Sequence, residues 1–277
     1  MANNVEPEFA ARTNTGMVRS YNEDSIAITA QGRLAILADG MGGYNAGEVA
    51  SAIATSVLKL SLEGQLQPML GNAPQLSGEK LQQFVADSIQ LANASILEEA
   101  HDEPAFTGMG TTLVLTLLHD DEIMIAHVGD SRAYRMRRGE LEQITRDHSV
   151  VQEQIDAGLI TQELAQFSSN KNLITRALGV DYQLEIEIHE HKTEAGDMYL
   201  LCSDGLSDML DSEEIREILQ TPDADLDAIC DALINRANAN GGRDNVSAIL
   251  IKVQSENVHK NGLIKRILNW NIGPIKS

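Results

Sequence analysis

Cysteine is nearly absent from these 277 residues: only Cys202 and Cys230 occur. Neither lies in a CxxC or a Cys/His zinc spacing, and two thiols make no disulfide framework, so a reducing compartment fits. Aromatic residues are scarce at 4%, so the core must be aliphatic, and the 43% hydrophobic content suffices for one large domain or two small ones. No run of 18 apolar residues occurs, which leaves no spanning helix. The stretch MANNVEPEFAARTNTG has neither a basic n-region nor an apolar h-region, so it is not a secretory signal. A cytoplasmic protein is expected. Cations are also few. Lys and Arg total 21 against 41 Asp and Glu, a formal net charge of −20. Such a surface repels nucleic acid and anionic membrane.

What is present is strand-rich. Alternation and β-branched content predict strands at 25–29, 34–38, 112–119, 123–128, 133–137, 184–189, 198–202 and 246–253. In QLEIEIHEH, Leu184, Ile186 and Ile188 share one face and Glu185, Glu187 and His189 the other, the pattern of a sheet with one face on the core. Val49, Ile53, Val57 and Leu60 form a helical stripe, with Asn45 and Glu48 spaced as a capping box. Further helices are predicted at 81–99, 212–220 and 226–240. Strands come in runs rather than alternating with helices, which predicts an α+β class with packed sheets and helices outside. The polar segment 147–172 stands apart. So does 255–277, where Lys260, Lys265, Arg266 and Lys276 face one acid, Glu256. Leu263, Ile264, Ile267 and Leu268 fall on one side of a short helix there. The plain reading is a loosely packed end; the sharper one is a docking segment.

Acids recur at the ends of apolar runs. LAILADGMGGYNAGEVA places Asp39-Gly40 after one run, LLCSDGLSD places Asp204-Gly205 after another, and AHVGDSRAY places Asp130 after a third. Asp244 precedes a fourth run, and Glu23 and Asp24 precede a fifth. The glycines of ADGMGG do not form a dinucleotide fingerprint, because the third position falls on Asn45 and Asp39 would oppose a pyrophosphate. No P-loop occurs. Taken alone, Asp39-Gly40 reads as a turn. Repetition favours convergence at one end of a sheet sandwich. Close carboxylates repel by about 1–4 kcal/mol per pair in wet surroundings and need cations to coexist. Oxygen-only ligands favour Mg²⁺ or Mn²⁺ over Zn²⁺.

With these segments assembled, the chain resembles the metal-dependent serine/threonine protein phosphatases of the protein phosphatase 2C type, in their bacterial branch. RSYNEDS, ADGMGG, GMGTTLV, HVGDSRAY, LITRALG, LLCSDGLSD and GGRDNVSAIL occur in the family's order from Arg19 to Leu250. The resemblance implies a four-layer α-β-β-α sandwich with a binuclear site at one end of its two mostly antiparallel sheets. It implies that Asp39 bridges two ions and that the Gly40 carbonyl binds one. Asp204 and Asp244 complete the other, and Glu23 and Asp24 hold metal-bound waters. Arg19 grips the substrate phosphate, and Asp130 with Asp204 forms a weaker third site. The catalytic domain then spans 1–254, with a flap at 147–172 and a basic tail at 255–277. The reaction implied is hydrolysis of phosphoserine and phosphothreonine by direct attack of a metal-bridging water, as a monomer, opposing a Hanks-type kinase. Two cations about 3.5–4 Å apart neutralise a phosphate dianion and acidify a water between them, so elementary chemistry supports these roles. Arg19 suits phosphate through its planar fork; its plain reading is a surface arginine paired with Glu23.

One departure is Met41, which stands where many eukaryotic members carry a histidine thought to protonate the leaving alkoxide. That leaves the general acid unassigned, a metal-bound water being the preferred candidate. Cys202 lacks the Arg six residues on that a tyrosine-phosphatase loop needs, and reads as a core thiol. His189 and His191 share a strand face and could take a stray metal, though an exposed polar face carries more weight. Arg176 reads equally as structural pairing or a flap contact. Gly108 and Gly110 read as close backbone packing. The competing function is a catalytically weak, phosphatase-like module that binds phosphoproteins; the presence of Asp39, Asp204 and Asp244 weighs against it.

Overall fold

The computed structural model describes residues 7–29, 33–43, 46–69, 78–165, 168, 170 and 173–254. The predicted cap at Asn45 and the basic tail lie outside them. The chain begins with strands β1 (Pro7–Asn14), β2 (Asp24–Ile28) and β3 (Leu34–Met41), then helices α1 (Ala46–Met69) and α2 (Gly78–Asp102). Strands β4 (Gly110–Thr111), β5 (Leu113–His119), β6 (Glu122–Val128), β7 (Arg132–Arg137) and β8 (Glu140–Gln143) follow. Two short helices, α3 (Val150–Asp156) and α4 (Gln162–Ala165), occupy the predicted flap. Strands β9 (Glu187–Lys192) and β10 (Met198–Cys202), helices α5 (Asp204–Ser207), α6 (Ser212–Leu219) and α7 (Leu226–Ala239), and strand β11 (Val246–Val253) complete it.

The strands form two antiparallel sheets. One runs β1-β11-β10-β7-β8; the other runs β2-β3-β5-β6-β9, with β4 beside β3. Three apolar layers hold them. Leu34, Ile36 and Ala38 of β3 face α1 and α2, while Ala35 and Leu37 face the opposite sheet. Leu200 and Cys202 of β10 face α6 and α7, while Tyr199 and Leu201 point between the sheets. This is the α-β-β-α sandwich of an α+β fold. Both faces of the inner strands are dry, so they read as continuous apolar runs although the sheets are antiparallel.

Three sequence expectations need correction. The buried stripe of α1 is Ala46, Ala50, Ala54, Leu58 and Leu62, with Val49, Ile53 and Val57 at its margin; Leu60 is 75% exposed. Alanines at four-residue spacing bring the helix axis close to β3, which a larger stripe would prevent. Second, β9 begins at Glu187, three residues later than predicted; Leu184, Ile186 and Ile188 still pack on the core. Third, Gly108 sits in open space at φ +79° and serves a turn, whereas a Cβ on Gly110 would press on Met41 and the Leu178 carbonyl. Cys202 is fully buried, which pushes its thiol up to about 12 and leaves it inert.

Candidate metal centre

Each acid is delivered by the end of a core element. Asp24 opens β2 and lies directly opposite Asp39 on β3. Asp130 follows β6, and the turn that aims it needs Gly129 at φ +102°. Asp204 starts α5, immediately after β10, and Asp244 precedes β11. The Asp39-Gly40 pair is not a turn, since β3 continues through both residues to Met41. Gly40 is required by close approach instead: a Cβ there would collide with the carbonyl oxygens of Gly47 and Glu23. Gly205 has the same reason, because its Cβ would collide with the Asn245 carbonyl.

The acids face one another. Burial is the main cause that holds Asp39 well above the usual carboxylate range, followed by the charges of Asp24, Asp204, Asp130 and Asp244. Burial, then Asp130 and Asp244, push Asp204 up to about 8. Burial lifts Asp24 to about 6 against hydrogen bonds from Ser247 and Ser203. Asp130 rises to about 6 through burial and then the charge of Asp147. Glu23, against Gly47 at the start of α1, is raised by burial as well. Six carboxylates at one end of the sandwich thus carry a mutual cost that a positive charge among them would remove.

The surrounding hydrogen bonds fix the backbone that carries them. Thr112 N and Thr111 Oγ1 donate to the Asp39 carbonyl, each at 2.8 Å, and Asp39 N donates to Thr112 Oγ1 at 3.2 Å. Thr112 Oγ1 also meets Ser131 Oγ at 2.7 Å, linking Asp39 to the turn at Asp130. Ser203 and Ser247 hydroxyls donate to Asp24 Oδ2 at 2.8 and 2.6 Å. The other oxygen of Asp24, Oδ1, is buried without a hydrogen-bond partner among the described residues. Arg19 Nη2 pairs with Asp244 Oδ2 at 2.7 Å rather than with Glu23. Arg132, which could have neutralised Asp130, instead grips Asp147 with Nε at 2.9 Å and Nη2 at 2.6 Å.

Sequence reasoning missed Asn245, although it follows Asp244 directly. Its Oδ1 accepts from Glu23 N at 2.8 Å, and its Nδ2 donates to the Thr15 and Tyr21 carbonyls at 3.0 and 2.8 Å. This one amide closes the loop that carries Arg19 onto the acid cluster. Asn245→Ala should therefore cost about 2–3 kcal/mol of stability, because buried partners lose their bonds. Denaturant melts check it; a change under about 0.5 kcal/mol would mean that the loop is held elsewhere. Arg176, left open by the sequence, pairs with Glu185 at 2.9 Å and with Glu187 of β9 at 3.6 Å, joining the flap's end to β9.

The comparisons with known proteins agree with this geometry. The family model described as protein phosphatase 2C matches residues 18–251. The serine/threonine phosphatase stp of Listeria monocytogenes is 36% identical over 244 residues, 87% of this chain and 94% of that protein. The serine/threonine protein phosphatase PstP of Mycobacterium tuberculosis is 40% identical over 88% of this chain, which spans 45% of PstP. A crystal structure of the PstP catalytic domain in complex with two manganese ions aligns at a TM-score of 0.79 and 38% identity, covering 91% of this chain and 100% of that one. Stp1 of Staphylococcus aureus aligns at a TM-score of 0.80 and 32% identity, covering 92% and 97%. With the family model matching residues 18–251 and these relatives at 32–40% identity on the same sandwich, the chain belongs to the protein phosphatase 2C family of serine/threonine phosphatases.

Proposed function

We propose that this chain removes phosphate from phosphoserine and phosphothreonine in proteins at the carboxylate cluster, using divalent cations of the Mn²⁺ or Mg²⁺ class. The observation that carries the reading is the convergence of Asp39, Asp204, Asp130, Asp24 and Asp244 around a common point. The donors are oxygens, and Asp24 Oδ1 is a buried acceptor awaiting a positive or protic partner, so the residues fit hard cations. Asp39 with the Gly40 carbonyl would hold one ion, and Asp39, Asp204 and Asp244 the other. Glu23 and Asp24 would hold their waters, and Asp130 with Asp204 a weaker third. Two such ions supply charge neutralisation of the phosphate and a water acidic enough to attack it near neutral pH.

The chain's own residues do the rest. Arg19, half-exposed at the rim, leaves Asp244 to present its fork to the phosphate. The serine pair holds the Asp24 carboxylate, and the threonine pair fixes the main chain that carries Asp39. Met41 carries no proton to give the departing alkoxide. A binding-only module is not favoured, because Asp39, Asp204 and Asp244 are all present. The catalytic unit is assigned to 1–254, with the flap at 147–172 beside the site. Two free, buried cysteines suit a cytoplasmic location. The phosphorylated partners imply a serine/threonine kinase that makes them.

The test is release of phosphate from a phosphothreonine peptide with Mn²⁺, abolished by EDTA; hydrolysis that survives EDTA, or fails with Mn²⁺, contradicts it. Arg19→Ala should lower kcat/KM on that peptide roughly 10- to 150-fold, the worth of one charge-assisted hydrogen bond, while sparing cation binding. An unchanged kcat/KM would leave Arg19 as Asp244's surface partner only. Asp130→Ala should cost more on the peptide than on p-nitrophenyl phosphate, whose leaving group needs little protonation. Equal losses would exclude a part in leaving-group departure.

A further inference from the structure

We propose a second cation site, distinct from the carboxylate cluster and suited to a nitrogen-preferring divalent ion such as Zn²⁺, formed by His127, Glu187 and His189. Alternation along β6 puts Ile123 and Ile125 between the sheets, and His127 continues that face. The register places Glu187 of β9 directly opposite His127, and His189 opposite Ile125. All three side chains thus gather on the inner face of one sheet, at its β9 edge. One ligand atom from each lies within 4.8 Å of the other two. Glu187 Oε2 stands 3.5 Å from His189 Nε2 and 4.0 Å from His127 Nε2. A tetrahedral ion with bonds of about 2.0–2.1 Å holds its ligands about 3.4 Å apart. The group therefore closes on an ion by side-chain adjustment alone.

Two features mark the group as more than a polar edge. His189 Nε2, the nitrogen that faces Glu187, is buried with no hydrogen-bond partner among the described residues. Such atoms are costly in a folded protein unless a ligand satisfies them. The group also has the outer support that ligating residues require. The His148 ring stacks on His127 at 4.8 Å, and the bond of His127 Nε2 to the Arg146 carbonyl at 2.9 Å is the one an ion would replace. His148 Nε2 holds Glu187 Oε1 at 3.1 Å. Burial lowers His127 to about 4, so its ring is neutral near pH 7, the form that binds metal.

His127 is fully buried, while the Glu187 and His189 side chains are 34% and 39% exposed, which leaves an entrance from solvent. Two imidazoles and one carboxylate select Zn²⁺, Ni²⁺ or Cu²⁺ over Mg²⁺ and Mn²⁺. His189 and His191 share a strand face, as the sequence suggests, with rings 6.3 Å apart, but His191 sits opposite Ile123 and outside the group. The site meets the hydrolytic centre through His148, whose backbone N–H donates to the Gly129 carbonyl at 2.9 Å and whose Nδ1 accepts from Gly129 N at 3.1 Å. An ion at Glu187 Oε2 leaves Oε1 on His148, so the site is joined to the turn that carries Asp130 without displacing the clip.

The test uses the full chain, free of any histidine tag and saturated with Mn²⁺, titrated with Zn²⁺ against a chromogenic chelator. Zinc X-ray absorption then reports the ligands. One Zn²⁺ per chain with imidazole scattering is expected. His189→Ala and Glu187→Gln should each weaken it by at least about tenfold, with native circular dichroism and with hydrolysis of p-nitrophenyl phosphate by the Mn²⁺-loaded His189→Ala variant unchanged. Zn²⁺ bound equally by wild type and His189→Ala, or with oxygen scattering only, would overturn the proposal, as would no Zn²⁺ bound at all.

Discussion

Asp39→Asn is expected to reduce turnover of a phosphothreonine peptide by about a thousandfold or more, at least about 4 kcal/mol of barrier, while the fold persists. Asn matches Asp in shape, and the bonds that hold this stretch of β3 run through the main chain, from Thr111 Oγ1 and Thr112 N to the Asp39 carbonyl. Those bonds survive the change. The carboxylate does not, and it is the one that all four neighbouring aspartates act upon. On the proposed assignment, two cations would lose their shared anchor. In EDTA the same variant should melt at a higher temperature than wild type, because a buried charge in a field of like charges has been removed. Near-normal turnover with Mn²⁺ still bound would sink the assignment.

Metal-free protein should lose stability as pH rises from about 4 to about 8, and Mn²⁺ should restore it most at the alkaline end. The sign follows from proton counting. A carboxylate whose folded pKa lies above its unfolded value binds more protons when folded, so folding weakens as pH rises through that window. Asp24 and Asp130 are pushed up to about 6 and Asp204 to about 8, from an ordinary 3.8. Above pH 8 in EDTA the cluster is charged and repulsive. Divalent ions replace the lost protons, so the melting-temperature gap between Mn²⁺ and EDTA should widen from pH 5 to pH 8 by at least about 5 °C. A gap independent of pH would mean that the acids are not what the ions stabilise.

How much of this was legible depended on where each element gets its specification. Strands β3, β5, β6, β10 and β11 are buried on both faces, so their apolar runs were read nearly to the residue. Strand β1, PEFAARTN, was missed because it is half polar and starts at proline; its strand character comes from pairing with β11, more than 230 residues away. The four residues of β8 carry too little pattern to read. At the site, the acids were visible because charge at the end of an apolar run is rare. Ser203, Ser247 and Thr112 were invisible, since a hydroxyl in a strand has many ordinary uses until its partner is seen. The plain reading of Arg19 pairs it with Glu23, four residues on, whereas Asp244 reaches Arg19 only through folding. Asp39-Gly40 read as a turn because glycine usually signals one; here it makes room for the Gly47 carbonyl.

Anomalous diffraction at the manganese edge, from crystals grown with Mn²⁺, measures the claim most directly. Two strong peaks are predicted between Asp39, Asp204 and Asp244, with Asp39 touching both and the Gly40 carbonyl touching one. A map without density among these carboxylates, from protein that hydrolyses phosphothreonine peptide in the same Mn²⁺ buffer, would contradict the account.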